Sequence, residues 1–115
     1  MPDLFAYKIL TRDQYAQLRA DGVFHGAPVD VQDGYVHLST QAQVVETAAK
    51  HFAGQDDLVL AMVDLAGFGD ALKWEESRGG QLFPHLYAPL PLSAVAKHVT
   101  LRLDSAGRHQ FPAGF

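Results

Sequence analysis

Polar and apolar residues alternate with two different periods along the chain, and each change of period predicts a change of element. Residues 4–10 are rich in aromatic and branched side chains, which predicts an opening strand. Helical spacing of apolar residues follows over about 12–20 and about 41–52. Each segment is preceded by a threonine with a glutamine three residues later, the capping-box pattern, and Gly22 and Gly54 predict where the two helices end.

Strand signals dominate the second half of the chain. The run 58–65 is apolar without alternation, so it predicts a central strand that is buried on both faces. Alternation predicts further strands over 72–76, 82–87 and 96–103. Pro84 would confine the middle one of these to a sheet edge or an irregular segment.

The order of these elements indicates the fold class. Residues 23–32 show no period and predict a loop, and a short strand follows over 35–39. A parallel, doubly wound sheet would need repeated strand–helix–strand units, and these are missing after the second helix. The 115 residues therefore predict one α+β domain, residues 1–115, with two main helices and a mostly antiparallel sheet.

The stretch 33–40, Asp-Gly-Tyr-Val-His-Leu-Ser-Thr, joins a turn, a strand and a helix cap. Read with period 2, its valine and leucine face the core, and the opposite face carries Tyr35, His37 and Ser39. Three groups that can form hydrogen bonds then share one surface, which predicts the wall of a polar cleft. The alternative for His37 is a buried histidine that bonds a backbone carbonyl and serves only the fold.

Composition and charge narrow the classes of function. The formal net charge is −4 and the nine lysines and arginines are scattered singly. This argues against a general nucleic-acid binder, because such proteins cluster their basic groups, but it is compatible with a small ligand. The absence of cysteine, of a leader-like start and of an apolar run of about 18 residues predicts a cytoplasmic protein without disulfides or a membrane span.

A second polar face is predicted within 82–87. Strand alternation places Phe83, His85 and Tyr87 on the same side. If this face and the face of 33–40 line one cavity, a flat heteroaromatic ligand would fit between them. The predicted stacking residues are Tyr35, Phe83 and Tyr87, and the predicted hydrogen-bonding residues are His37, Ser39 and His85.

Two neighbouring groups could complete such a site. Ser77-Arg78-Gly79-Gly80 combines a guanidinium with two glycines, which predicts a nest for phosphate or carboxylate. A hairpin turn with a solvated arginine is the alternative. Glu75 could supply acid–base chemistry or be an ordinary solvated strand residue. The predicted catalytic residues are His37, Glu75 and His85.

The six histidines form no recognisable metal motif. The sequence contains neither a His-x-x-x-His pair nor a cysteine ligand, so a zinc site would need His37, Glu75 and His85 to meet in space. A metal-assisted hydrolase stays an alternative, and no metal ligands are predicted. The remaining histidines, predicted at surface positions, are His25, His51, His98 and His109.

Five blocks stand in a characteristic order along the chain: Tyr7-Lys8-Ile9, Asp33 to Thr40, His51 to Gly54, Glu76 to Gly80 and Phe83 to Tyr87. Together they resemble the bacterial domain-of-unknown-function 952 family. The resemblance extends from about Phe5 to Pro112. It implies membership of that family without an established activity.

A second similarity lies in His37-Leu38-Ser39, the helix after it, the pair Lys50-His51 and the apolar strand that ends in Val63-Asp64. This order resembles the RNA 2′-phosphotransferase branch of the ADP-ribosyltransferase-like superfamily. The resemblance implies a split, mostly antiparallel sheet that holds NAD, as a substrate, in its cleft. Because the chain is acidic, a small molecule, water or a protein side chain is a better acceptor than RNA.

The resemblance also implies roles for individual residues. The ribose-contacting residues would be His37 and Ser39, and the pyrophosphate-binding residues would be Arg78, Gly79 and Gly80. The nicotinamide-stacking residue would be Tyr87, Tyr35 or Phe83. The group that stabilises the oxocarbenium-like centre, or activates the acceptor, would be Glu75 or His85.

Two departures from the superfamily pattern leave a second function open. By this resemblance His85 or Tyr87 would fall near the superfamily's last catalytic position, and position 85 lacks the glutamate usual there in protein-modifying members. Tyr7-Lys8 stands for the paired Arg-His of the phosphotransferases' first strand. Either catalysis is rewired, or the chain binds a nucleotide or other small ligand without transfer, as a sensor domain would.

Overall fold

The computed structural model describes residues 4–112, without the side chain of Arg78, and contains three α-helices and mostly antiparallel strands. The helices are α1 (Arg12–Asp21), α2 (Pro28–Asp33) and α3 (Gln41–His51). The strands are β1 (Phe5–Leu10), β2 (Val23–Phe24), β3 (Val36–His37), β4 (Leu58–Asp64), β5 (Leu72–Glu76), β6 (Leu82–Leu86), β7 (Leu90–Pro91) and β8 (Val95–Leu101). The predicted α+β class is confirmed.

The first sheet has the order β1-β4-β8, with all pairs antiparallel. The predicted central strand is confirmed, because β4 lies between two partners and Leu58, Leu60 and Val63 are almost completely buried. Its two faces belong to two apolar clusters, and α3 covers one of them with Val44 and Ala48. A continuous apolar run fits this position because both faces are removed from water.

The two longer helices are confirmed with their N-caps, but α3 ends at His51 with Phe52 as its C-cap and not at Gly54 as predicted. The side chains of Thr11 and Thr40 accept hydrogen bonds from the amides of Gln14 and Gln43, and each glutamine side chain bonds back to the threonine amide. Gly22 ends α1 with a left-handed φ of 75°. No helix within residues 4–112 is long and apolar enough to cross a membrane.

The segment 23–32, predicted as loop, is instead ordered into two elements. Its first residues form β2, which pairs with β7, and its last residues enter α2, which has Pro28 in its first turn. Gly34 ends α2 with a left-handed φ of 90°, so the predicted turn is a helix C-cap. Elements of two and six residues are too short to show a period, which is why the prediction was wrong.

The second sheet has the order β3-β6-β5, so the edge position predicted for the strand with Pro84 is wrong. In an antiparallel strand the N–H and C=O of one residue face the same neighbour. The Pro84 carbonyl accepts a hydrogen bond from the Leu38 amide at 3.1 Å, just beyond the end of β3. The side of β6 on which Pro84 has no N–H to donate therefore faces the end of the two-residue strand β3. The pairing of β6 with β5 continues without interruption.

The chain changes sheet at Ser39, which shortens the predicted strand 35–39 to Val36–His37. The Ser39 amide donates to the Tyr7 carbonyl at 2.9 Å, and the Tyr7 amide donates to the Ser39 carbonyl at 2.7 Å. This bridge joins β1 of the first sheet to the residues that follow β3. It brings the polar face of the second sheet beside β1.

Candidate functional site

A buried carboxylate lies behind the polar face of β3. Asp30 is 1% exposed, and its oxygens accept hydrogen bonds from Lys8 Nζ (3.0 Å), the Ala27 amide (2.7 Å), the His37 amide (3.0 Å) and His37 Nδ1. Burial by itself would raise the pKa of Asp30. The hydrogen bonds from His37 and the charge of Lys8 outweigh burial and lower the pKa to about 2, so Asp30 is ionised at neutral pH.

Lys8 is the charged residue of an otherwise apolar strand, β1. Its ammonium group lies 3.0 Å from Asp30 and 5.9 Å from the centre of the Phe24 ring. Burial lowers the pKa of Lys8, and the charge of Asp30 opposes that change. The two charges therefore depend on each other, because either one alone would be buried without compensation.

His37 connects this buried pair to the surface. Its Nδ1 bonds Asp30, its Nε2 lies 3.0 Å from Asp33 Oδ2, and its side chain is 26% exposed. An imidazolium ring donates to both carboxylates, whereas a neutral ring donates to one. Asp30 fixes the orientation of the ring, and the exposed Nε2 side shares a cleft with Asp33.

A second carboxylate–histidine pair lies directly across the sheet. His85 is opposite His37 in the β3–β6 register, and the ring centres are 5.7 Å apart. His85 Nδ1 lies 2.8 Å from Glu75 Oε1, and the Tyr87 hydroxyl donates to the same oxygen at 2.7 Å. Tyr35 stacks on His85 with ring centres 4.1 Å apart. Glu75 therefore anchors two members of an aromatic group.

Hydrogen bonding also sets the protonation of this group. The bonds from Tyr87 and His85 lower the pKa of Glu75. The Tyr87 hydroxyl donates to Glu75, which raises the pKa of Tyr87 to about 12. Around neutral pH Glu75 is therefore a carboxylate acceptor and Tyr87 a phenol donor.

His37, Ser39 and Asp33 border a cleft of about 570 Å³ that lies among β1, the start of α2 and α3. Ser39 Oγ is 3.1 Å from Thr47 Oγ1, and Thr47 Oγ1 donates to the Gln43 carbonyl at 3.1 Å. Since Thr47 uses its hydrogen on that carbonyl, Ser39 donates to Thr47 and keeps acceptor capacity on its own oxygen. The wall can therefore accept a hydrogen bond from a ligand hydroxyl or amide.

The residues of the two polar faces do not line one cavity, which was the condition for a ligand held between them. His37 and Ser39 border the cleft, whereas Tyr35 and Tyr87 border a separate depression of about 300 Å³. His85 is 3% exposed and lies under the Tyr35 ring. Tyr35 stacks over His85, and His85 is among the described bordering residues of neither space.

The other predicted ligand-binding residues lie away from the cleft interior. Phe83 is buried and borders a hollow of only about 20 Å³ beside α3. Gly79 and Gly80 have left-handed φ values of 70° and 77° in an exposed turn, but the Gly80 amide donates to the Ser77 carbonyl at 2.9 Å and so is already used. The side chain of Arg78 lies outside the described part of the chain.

Four residues of the site were missed by sequence reasoning. Lys8 and Asp30 are 22 positions apart, and Asp33 and Thr47 were read as parts of a turn and a helix. A lysine inside an apolar strand was the available signal, because a buried ammonium group needs a buried partner. The spacing of four between Asp33 and His37 was a second one.

The remaining histidines do not form a metal centre with this site. Among the described residues 4–112, no group of three or more His, Asp or Glu side chains is placed to hold a metal ion. His51 borders the cleft from the end of α3, although it was predicted only as a surface residue. His98 pairs with the Tyr15 hydroxyl at 2.9 Å on the first sheet.

Comparison with known proteins places the chain among relatives of the same fold. The crystal structure of protein CC0527 from Caulobacter crescentus is 49% identical, with a TM-score of 0.88 over 92% of this chain and 93% of that chain. The solution structure of CC0527 is 48% identical, with a TM-score of 0.84 over 94% and 93%. No curated protein matches the chain.

The family model described as "Protein of unknown function (DUF952)" matches residues 9–98, which is most of the chain. The predicted family is therefore confirmed. The chain belongs to the DUF952 family of proteins of unknown function.

Proposed function

We propose that the cleft binds NAD as a substrate and that the protein is an ADP-ribosyltransferase-like enzyme that acts on the nicotinamide glycosidic bond. One observation carries the proposal. His37, oriented by the buried carboxylate of Asp30, opens into a cleft of about 570 Å³ beside the hydroxyl pair of Ser39 and Thr47. A cleft of this volume is within the usual range for small-molecule ligands, about 300–1,000 Å³.

The polar groups of the cleft match the chemistry of a ribose. Ser39 Oγ can accept a hydrogen bond from a ribose hydroxyl, and the exposed edge of His37 lies in the same cleft. Tyr7 and Lys8 of β1 also border the cleft, at the point where the bridge between Tyr7 and Ser39 joins the two sheets. This junction is compatible with the split sheet that the superfamily resemblance implies.

In the proposed reaction the bond between C1′ of the nicotinamide ribose and the nicotinamide nitrogen breaks. Nicotinamide leaves as a neutral molecule with the bonding electron pair, and an acceptor oxygen forms the new bond to C1′. The acceptor loses its proton, so NAD and acceptor become nicotinamide, the ADP-ribosylated acceptor and a proton. That proton passes to solvent, because both ring nitrogens of His37 already contact carboxylates, Nδ1 that of Asp30 and Nε2 that of Asp33.

The direct test is a thermal-shift titration with NAD and ADP-ribose, combined with chromatographic measurement of nicotinamide. At ten times the dissociation constant NAD should stabilise the folded protein by about 1.4 kcal/mol, which corresponds to a rise in Tm of about 5 °C. His37→Ala should abolish the rise in Tm and the release of nicotinamide. His98→Ala, which removes a histidine on the far strand β8, should keep both. Absence of any shift at millimolar NAD or ADP-ribose contradicts the proposal.

The second candidate is a nucleotide-binding or sensor domain without turnover. It is favoured by the contact between His37 Nε2 and Asp33 at 3.0 Å, because this contact occupies the nitrogen that a general base needs. Such a domain would show the same rise in Tm with NAD but would release no nicotinamide during a long incubation.

A further inference from the structure

Three carboxylates lie near the proposed ribose site, and the most buried of them is fully used. Asp30 accepts from Lys8, the Ala27 amide and two nitrogens of His37. A carboxylate has about four acceptor positions, so Asp30 has none left for a ligand. With 1% exposure it also has no open path to the cleft. Its role is to orient His37.

The second carboxylate, Glu75, lies outside the cleft. It was predicted from the sequence as a catalytic residue, but it is not among the described residues that border this space. Its Oε1 accepts from both His85 and Tyr87, and it stands on β5, on the far side of β6 from His37. Its geometry supports a role in positioning His85 and Tyr87.

The third carboxylate, Asp33, is exposed to solvent and lies at the edge of the cleft. Its side chain is 40% exposed and borders the cleft. Within the described part of the chain its one polar contact joins Oδ2 to His37 Nε2 at 3.0 Å. Asp33 can therefore face a ligand and contact the His37 ring at the same time.

We infer that Asp33 is the carboxylate that faces C1′ of the nicotinamide ribose and stabilises its positive charge, an inference that rests on the proposed function. As the glycosidic bond breaks, nicotinamide takes the electron pair and C1′ acquires oxocarbenium character. A carboxylate placed beforehand at that centre lowers the barrier electrostatically without forming a bond itself. The acceptor oxygen then bonds to C1′, and its proton passes to solvent. Asp33 thus takes the role that the sequence alone suggested for Glu75 or His85.

The test is Asp33→Asn, which keeps the shape and an acceptor for His37 but removes the charge. The release of nicotinamide should fall about 100-fold, the size of effect usual for one lost electrostatic contact at a transition state. The rise in Tm with NAD should persist, because the interaction is made mainly in the transition state. Asp21→Asn is the matched control, since Asp21 also ends a helix before a left-handed glycine cap, and it should behave like the wild type.

Glu75→Gln distinguishes the role of Glu75 from that of Asp33. It should lower the Tm, because His85 and Tyr87 lose a charged anchor, while nicotinamide release stays within a few-fold of wild type. The inference is overturned if Asp33→Asn releases nicotinamide at the wild-type rate. It is also overturned if Glu75→Gln binds NAD normally but releases nicotinamide about 100-fold more slowly. If the wild-type protein binds NAD but releases no nicotinamide, the inference is overturned and only the function of binding NAD without turnover remains. Wild-type protein that shows no NAD-dependent shift overturns the inference together with the proposed function.

Discussion

The two three-stranded sheets are stabilised in different ways. In the first sheet β4 is apolar and lies between two partners, and Leu58, Leu60 and Val63 are almost fully buried. In the second sheet β3 is only two residues long, and carboxylates on α2 and β5 hold His37 and the buried His85 on its polar face. Burial of apolar surface stabilises the first sheet apart from Lys8 of β1, which pairs with Asp30, whereas the polar face of the second sheet depends on specific charged partners. A change of charge at Asp30, behind the polar face, should therefore affect both stability and NAD binding, whereas a loss of side-chain volume in the apolar sheet should affect stability alone.

The largest effect is expected from Asp30→Asn. It leaves the Lys8 ammonium buried without a counter-charge and removes the group that orients His37. Loss of one partner of a buried ion pair typically costs about 3–5 kcal/mol of unfolding free energy. Urea unfolding would measure it, and the double variant with Lys8→Met should recover much of the loss, because the uncompensated charge is gone. A cost below about 1 kcal/mol for the single variant would show that the pair is not the anchor described above.

Leu101→Ala tests the apolar region on β8, a strand with no residue among the described ones that border the cleft. Leu101 is completely buried on β8, and such truncations usually cost about 2–5 kcal/mol because a cavity remains. The shift in Tm produced by NAD should be unchanged, since β8 lies on the far side of β4 from β1. Leu82→Ala, at a leucine that is 53% exposed, is the control and should cost less than about 0.5 kcal/mol. Similar losses for both leucines would contradict the difference between the regions.

The smallest effect is a pH dependence that belongs to the polar region. The pKa of Asp30 falls from 3.8 to about 2 on folding, so the folded state binds its proton less tightly than the unfolded state. Its contribution of about 2 kcal/mol is complete above about pH 4 and disappears as the pH falls towards 2. Urea unfolding at several pH values should show this decline in the wild type. Asp30→Asn should lack this part of it while Leu101→Ala keeps it, and an equal decline in all three would contradict the assignment to Asp30.

Local patterns predicted the long elements because their periodicity follows from burial. The capping boxes at Thr11 and Thr40, the continuous apolar run of β4 and the alternation that puts Tyr35 and His37 on one face all appear in the structure. Each depends on residues at most a few positions apart, so the chain itself contains the complete signal. By contrast, α2 has six residues and β2 has two, which is too few for a period to be recognised.

The sequence by itself determined the α+β class, the family and the polar strand faces that carry His37 and His85, whereas the pairing of β3 with β6 placed these histidines opposite each other. The tertiary structure decided which carboxylate each histidine meets: Asp30 for His37 and Glu75 for His85. It also decided that Tyr35 closes over His85 and leaves Asp33 at the cleft. The reason is physical: periodicity reports which face of an element is buried, but the packing of elements distant in sequence determines which charges meet.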